Sequence, residues 1–311
     1  MKIIFFGTPD FSIPSLELLL KEGYEIAAVV TAPDKPRGRG RQLLPSPVKR
    51  FARESNLTVL QPDNLNDESF INEIKRIAPD LMVVVAYRIL PPEVFTLPAK
   101  GTFNLHASLL PKYRGAAPIN WAIIKGEKET GVTTFFLEEK VDTGNIILQA
   151  RSPIGENETA GELHDRLSEI GAGVVLHTVR LIEQGKAETS KQDDSIASRA
   201  PKLTGETGRI DWNAPVRAVH NRIRGLSPVP AAYTYLNGKM IKIFRTEIVD
   251  EHTKKPPGTI VEAGNELHIA TGRGVLKILE LQREGKKRMD AESFLRGTEI
   301  KTGDTMIPEK S

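Results

Sequence analysis

The sequence predicts an α/β protein, with a doubly wound, mostly parallel sheet in an N-terminal domain and a smaller β-barrel in a C-terminal one. Three observations lead there. Through the first half, short and nearly continuous apolar runs alternate with amphipathic segments, the pattern of buried parallel strands and their crossover helices. One long amphipathic stretch, Thr159 to Gln184, ends that alternation. Beyond it, short β-rich runs recur between Gly- and Pro-containing turns.

Taken in order, Lys2 to Phe6 reads as a first strand turning at Gly7, Phe11 to Glu22 as a helix and Glu25 to Thr31 as the next strand, a βαβ opening. A helical pattern from about Asp67 to Ile77 precedes two further apolar runs, Asp80 to Ala86 and Gly101 to His106. The long helix carries Leu163, Leu167, Ile170, Val174 and Leu181 on one stripe, with Gly185 placed to end it. Lys186 to Gly205 is polar and reads as a connection, so the expected division is a first domain over residues 1–189, a linker over 190–204 and a second domain over 205–311. In the second domain the strand-like runs are Ala232 to Leu236, Lys239 to Thr246, Gly258 to Val261, Leu267 to Ala270 and Val275 to Leu281.

With 311 residues, 39% hydrophobic and 27% charged, the chain can bury the cores of two domains. Its apolar start is too short for a signal peptide or a membrane span. The absence of cysteine excludes disulfides, cysteine nucleophiles and thiolate metal sites, and fits a reducing compartment, so a cytoplasmic, membrane-free and metal-free protein is expected. The net charge of +3 conceals one concentrated patch, because Asp34 to Arg50 holds six Lys or Arg against one Asp.

The segment from Phe103 to Gly115 runs off a predicted strand into a loop ahead of a helical pattern around Pro118 to Lys125, and open α/β sheets bind ligands at such strand ends. Asn104 and His106 are two apart, so on a strand an amide and an imidazole face one small volume. Taken alone, such a pair often merely anchors a loop. Here it leads into Ser108-Leu-Leu-Pro111 and Arg114-Gly-Ala-Ala-Pro118, and Val141-Asp-Thr-Gly144 follows in a turn between two apolar runs.

Together these motifs resemble the folate-dependent formyltransferases. The resemblance implies that Asn104, His106 and Asp142 form the catalytic centre, that Ser108, Leu109, Leu110 and Pro111 border the folate, and that the formyl donor is 10-formyltetrahydrofolate. The chemistry suits the residue types. An amine attacking a formyl carbon makes a tetrahedral oxyanion, which a fixed amide donor stabilises by roughly 3 to 4 kcal/mol. The proton that the amine loses and the proton that the folate nitrogen gains call for a group such as His106, with Asp142 orienting the imidazole. Gly7-Thr-Pro-Asp10 does not make a G-x-G-x-x-G turn, which leaves a nicotinamide-dependent enzyme a weak alternative.

The acceptor is read from other regions. Thr31 to Arg50 is a Gly- and Pro-punctuated loop carrying Lys35, Arg37, Arg39 and Arg41, and it resembles the tRNA-contacting insertion of methionyl-tRNA formyltransferases. Lys202 to Trp212 and Ile223 to Pro228 resemble the same family's C-terminal domain, which implies an OB-like barrel. Initiator methionyl-tRNA is therefore the expected partner and a monomer the expected state. One departure is Ala86-Tyr-Arg-Ile-Leu-Pro91, where the family often has Gly after the Tyr, at the expected edge of the folate pocket. The alternatives are a formyltransferase acting on a nucleotide-linked amino sugar and a noncatalytic RNA-binding protein.

Overall fold

The computed structural model describes residues 1–37 and 42–307. Along the chain run β1 (Lys2–Gly7), α1 (Ile13–Lys21), β2 (Glu25–Val30), β3 (Lys35–Arg37), β4 (Gln42–Leu44), α2 (Pro47–Glu54), β5 (Val59–Leu60), α3 (Glu68–Ile77), β6 (Leu81–Val85), α4 (Pro92–Phe95) and β7 (Thr102–His106). There follow β8 (Arg114–Gly115), α5 (Pro118–Ile124), β9 (Glu129–Phe136), β10 (Ile146–Pro153), α6 (Ala160–Glu183), β11 (Arg199–Ala200) and α7 (Val216–Leu226). The last elements are β12 (Ala232–Leu236), β13 (Lys239–Asp250), β14 (Ile260–Ala263), β15 (Leu267–Ala270), β16 (Val275–Arg283), β17 (Met289–Asp290) and α8 (Ala291–Arg296). The chain divides into two compact units. One comprises Met1–Gly115, Gly131–Ser152 and His164–Arg199; the other comprises Ala116–Thr130, Pro153–Leu163 and the chain from Ala200 onward. Among the described residues no helix is long and apolar enough to cross a membrane.

The first unit is built on a seven-stranded sheet of order β10-β9-β7-β6-β1-β2-β5. Strands β1, β2, β5, β6 and β7 are parallel, and β9 joins β7 antiparallel. The sheet is thus mostly parallel, as the near-continuous apolar runs predict: Ile3 to Phe6 and Leu81 to Val85 are buried from end to end, since a parallel strand is covered on both faces. From β1 the chain winds first toward β2 and β5, then returns to β6 and β7 on the other side, which places the switch point between β1 and β6. On one layer Phe70, Ile74, Val94 and Phe95 pack with Ile4, Phe6, Met82 and Val84. Helix α6 comes close to the sheet at Gly171, where an added Cβ would stand 2.6 Å from Leu105.

Within Thr31 to Arg50 the described residues form regular elements that the Gly and Pro content does not suggest. Strands β3 and β4 pair antiparallel, Lys35 opposite Leu44, and α2 starts at Pro47. Pro47 therefore opens a helix, where its missing N–H costs nothing, and the Ser46 hydroxyl caps that helix by accepting from the Lys49 N–H at 3.0 Å.

The second unit contains an antiparallel sheet of order β12-β13-β16-β15-β14, with β17 against β16. It matches the β-rich second domain the sequence predicts, although its strand order is open and does not itself close into a barrel. Its edges are linked by the segment 303–307: Ile307 exchanges two backbone hydrogen bonds with Tyr235 of β12, while Asp304 O accepts from Ile260 N and Met306 N donates to Gly258 O beside β14. Helix α7 lays Val216, Val219, Ile223 and Leu226 on the core with Trp212, Ile243, Leu276, Ile278 and Phe294. The unit also holds stretches far away in sequence. Asn120 of α5 donates to Gly225 O at 2.8 Å, and the buried Arg224 guanidinium donates to the carbonyls of Gly155 and Glu158, both at 3.0 Å. On β15, His268 lies between Glu262 (3.1 Å) and Glu266 (2.7 Å), and Lys277 shares Glu266.

In this unit Arg245 grips Glu162 while the Thr159 N–H and hydroxyl donate to the same carboxylate at 2.8 Å. Partial burial works to raise that carboxyl, but these hydrogen bonds outweigh it and hold it near 2, below its ordinary 4.5. A folded-state value below the unfolded one contributes stability that is full above about 4.5 and is lost as pH falls toward 2. Thermal melts between pH 5 and pH 3 should therefore show a shallower loss of stability in Arg245→Met than in the wild type, by a modest amount because the pair is part-exposed. Equal slopes would show that the pair contributes nothing.

Candidate active site

The carboxyl ends of β1, β2, β6 and β7 share one edge of the sheet, and the polar residues collect there. Asn104 sits in the middle of β7, between Val84 of β6 and Phe135 of β9. Alternation along the strand sends Phe103 and Leu105 to the opposite face from Asn104 and His106. Among the described residues no hydrogen bond reaches the half-buried Asn104 amide.

His106 is 6% exposed. Its Nε2 lies 2.8 Å from the carbonyl oxygen of Tyr113. A carbonyl only accepts, so Nε2 carries the proton, and in the neutral ring Nδ1 is left with its lone pair. That Nδ1 faces the Asp142 carboxylate at 3.9 Å, too far for a direct hydrogen bond.

Backbone places the other groups. Tyr113 has a φ of 62°, a strained value for an aromatic residue, and its N–H donates to the Ser198 hydroxyl at 2.9 Å. Asp142 has a φ of 57° in its turn, and its Oδ2 accepts from the Gly115 N–H at 2.8 Å. Next to it, Gly144 passes so close to β9 that an added Cβ would stand 1.7 Å from Phe136 O. Gln192 holds the same turn by donating to the carbonyls of Asp142 (3.0 Å) and Gly144 (2.8 Å).

The structure thus brings Asn104, His106 and Asp142 to one place, all within the first unit. The neighbouring loop lies differently from what a list of side chains suggests. Ser108, Leu110 and Pro111 are buried and Leu109 half-buried against Gly131. Thr133 uses its whole hydroxyl on this loop and its brace: it accepts from Leu110 N (3.1 Å) and Gln149 Nε2 (2.9 Å) and donates to Ser108 O (2.6 Å). What the loop can offer a ligand is mainly backbone and Leu109. Tyr87 and Arg88 follow β6 at the switch point, and Arg88 donates to the Pro62 and Asp63 carbonyls and to the Tyr87 hydroxyl, fastening two loops together. In the basic segment Lys35 is exposed on β3, Arg37 ends that strand, and Arg39 and Arg41 lie outside the described residues. Leu43 and Leu44 of the same hairpin are exposed as well.

Sequence reasoning did not single out Tyr113 O, Gly115 N–H or Gln192 as parts of the site. The first two are main-chain groups that any residue type supplies. Gln192 stands in a polar stretch that reads as a linker, fifty residues from the turn it holds.

An amide donor, an imidazole with one free lone pair and a carboxylate around the end of a central strand are groups that acyl transfer to an amine can use. Residues 1–179 match the formyl transferase family and residues 202–299 the formyl transferase C-terminal domain family. A curated methionyl-tRNA formyltransferase of Caldanaerobacter subterraneus subsp. tengcongensis is 47% identical over 97% of this chain and 99% of its own length, and one of Clostridioides difficile is 47% identical over the same shares. The chain belongs to the formyl transferase family, among the methionyl-tRNA formyltransferases.

Among solved structures, a sugar 3N-formyl transferase crystallised with dTDP and 5-N-formyl-THF shares the fold at a TM-score of 0.69 and 23% identity, covering 92% of this chain and 99% of its own. An N-formyltransferase from Helicobacter canadensis, in complex with folinic acid and dTDP-3-aminofucose, shares it at 0.69 and 22%, covering 93% of this chain and 100% of its own.

Proposed function

We propose that this enzyme transfers the formyl group of 10-formyltetrahydrofolate to the amino group of initiator methionyl-tRNA, acting as a cytoplasmic monomer. The observation that carries the chemistry is the 3.9 Å gap between His106 Nδ1 and Asp142 Oδ2. A nitrogen about 2.8 Å from each atom fits beside that gap, which is the placement an attacking amine needs. In the reaction the amine nitrogen bonds to the formyl carbon, Nδ1 takes the proton that the amine sheds and passes it to N10, and the carbon–N10 bond breaks as N10 leaves protonated. The Asn104 amide donates to the oxyanion formed in between. Asp142 faces the imidazole and the incoming amine together, and the folate lies along the Ser108–Pro111 backbone and the switch-point loop of Tyr87 and Arg88.

On this reading the β3–β4 hairpin meets the acceptor end of the tRNA. It follows β2, three strands from β7, about 14 Å across the sheet at ~4.8 Å per strand. The cations contact phosphates and the exposed Leu43 and Leu44 offer an apolar surface. A variant with Lys35, Arg37, Arg39 and Arg41 all changed to Ala should raise KM for tRNA and leave kcat nearly intact. The slope of log affinity against log salt should fall by about three, at ~0.7–0.9 per phosphate contact. An unchanged KM and slope would remove the hairpin from the interface.

The decisive assay is transfer of labelled formyl from 10-formyltetrahydrofolate to methionyl-tRNA beside a dTDP-amino sugar control. Transfer to the tRNA supports the proposal. Transfer to the sugar alone, or tRNA binding without transfer, overturns it.

A further inference from the structure

Gln192 offers every polar atom of its side chain to the site. Its Nε2 donates one hydrogen to Asp142 O and the other to Gly144 O, while its Oε1 accepts from Arg114 Nε (3.1 Å) and Nη2 (2.8 Å). Arginine only donates and carbonyls only accept, so the amide has one possible orientation and no capacity left over. At 6% exposure, water does not compete for these bonds. Arg114 is held in turn by Asp194 at 2.7 Å, and its bond to that carboxylate holds Asp194 below the usual carboxylate range. The chain runs directly from Arg114 to Gly115, whose N–H accounts for the other end of the arrangement by donating to Asp142 Oδ2.

Two routes therefore lead from Arg114 to Asp142. One goes through Gln192 to the backbone of the turn, and the other through the Gly115 N–H to the carboxylate. We propose that Gln192 is a positioning residue for the transfer reaction, setting how far the Asp142 carboxylate stands from His106 Nδ1. The 3.9 Å gap suits an amine only while the turn stays in place. With both donors gone, the left-handed Asp142 and the glycine after it lose their hold on this side, and a shift of about 1 Å in a reacting group costs on the order of a hundredfold in rate. The inference rests on the role given to Asp142 above.

The test is a double-mutant cycle in the full-length enzyme, followed by labelled formyl transfer to methionyl-tRNA. Gln192→Met keeps the length and volume but loses the donors, and should lower kcat by about 10- to 100-fold with KM for both substrates little changed. Gln192→Glu retains the bonds from Arg114 but turns a carboxylate oxygen toward two carbonyls, and should lose as much; it stands in if the Met variant folds poorly. In an Asp142→Ala background the Gln192 change should cost nothing further, because its effect passes through the missing carboxylate. Independent, multiplying losses would overturn the inference, as would full kcat in both Gln192 variants beside a slow Asp142→Ala. Wild-type turnover in Asp142→Ala would instead sink the role of Asp142, and the inference with it.

Discussion

Replacing His106 with alanine should lower the rate of formyl transfer by about 10²- to 10⁴-fold, the range for loss of a positioned proton acceptor. The structure states which atom is lost. Nε2 is committed to Tyr113 O, so Nδ1 alone can take the amine proton, and it is the atom that faces Asp142. Binding of methionyl-tRNA should persist, because the ring is buried at the end of a strand and not on the basic hairpin. Single-turnover transfer, with tRNA binding measured in parallel, separates the two. A variant retaining more than about a tenth of wild-type turnover would rule out Nδ1 as the acceptor.

Asn104→Ala should cost about 10²- to 10³-fold in kcat, the usual loss for one oxyanion donor. The amide stands at mid-strand with its backbone held on both sides, by β6 and β9, so its direction is set by the sheet rather than by a mobile loop. No partner among the described residues occupies it. Its hydrogen bond strengthens as charge develops, so kcat and kcat/KM should fall together. A rise in KM with kcat preserved would mean that Asn104 binds the ground state only.

Much of this architecture was legible because burial writes itself into residue type. Ile3 to Phe6 and Leu81 to Val85 are apolar at every position because both faces of those strands are covered. The long helix announced itself by its apolar periodicity, although of the expected stripe only Leu163 and Leu167 are buried and Val175, Val179 and Ile182 carry the rest of the packed face. Less legible were α2 and the β3–β4 hairpin, where Pro47 and the Arg-Gly alternation read as loop chemistry, and α7, whose Arg and His residues mask its apolar face although Arg224 and His220 are buried. In the site, the spacing of Asn104 and His106 gave their shared face directly. The groups that fix them were hidden for a different reason: Tyr113 O and Gly115 N–H have no side-chain identity, and the partners of Gln192 are determined only once the chain has folded.

The segment 303–307 that joins β12 to the start of β14 is made by the ribosome after every strand it joins. Until it emerges, the N–H and C=O groups of Tyr235 and the edge at Gly258 and Ile260 stay open, and open strand edges invite pairing with other chains. Closing the sheet brings Tyr235 and Ile307 together over 72 residues, a loop whose entropy must be spent before the contact returns anything. The strands of this unit therefore wait, partly unsealed, on residues 303–307, and nascent chains stalled before that point are the ones most exposed to misassembly.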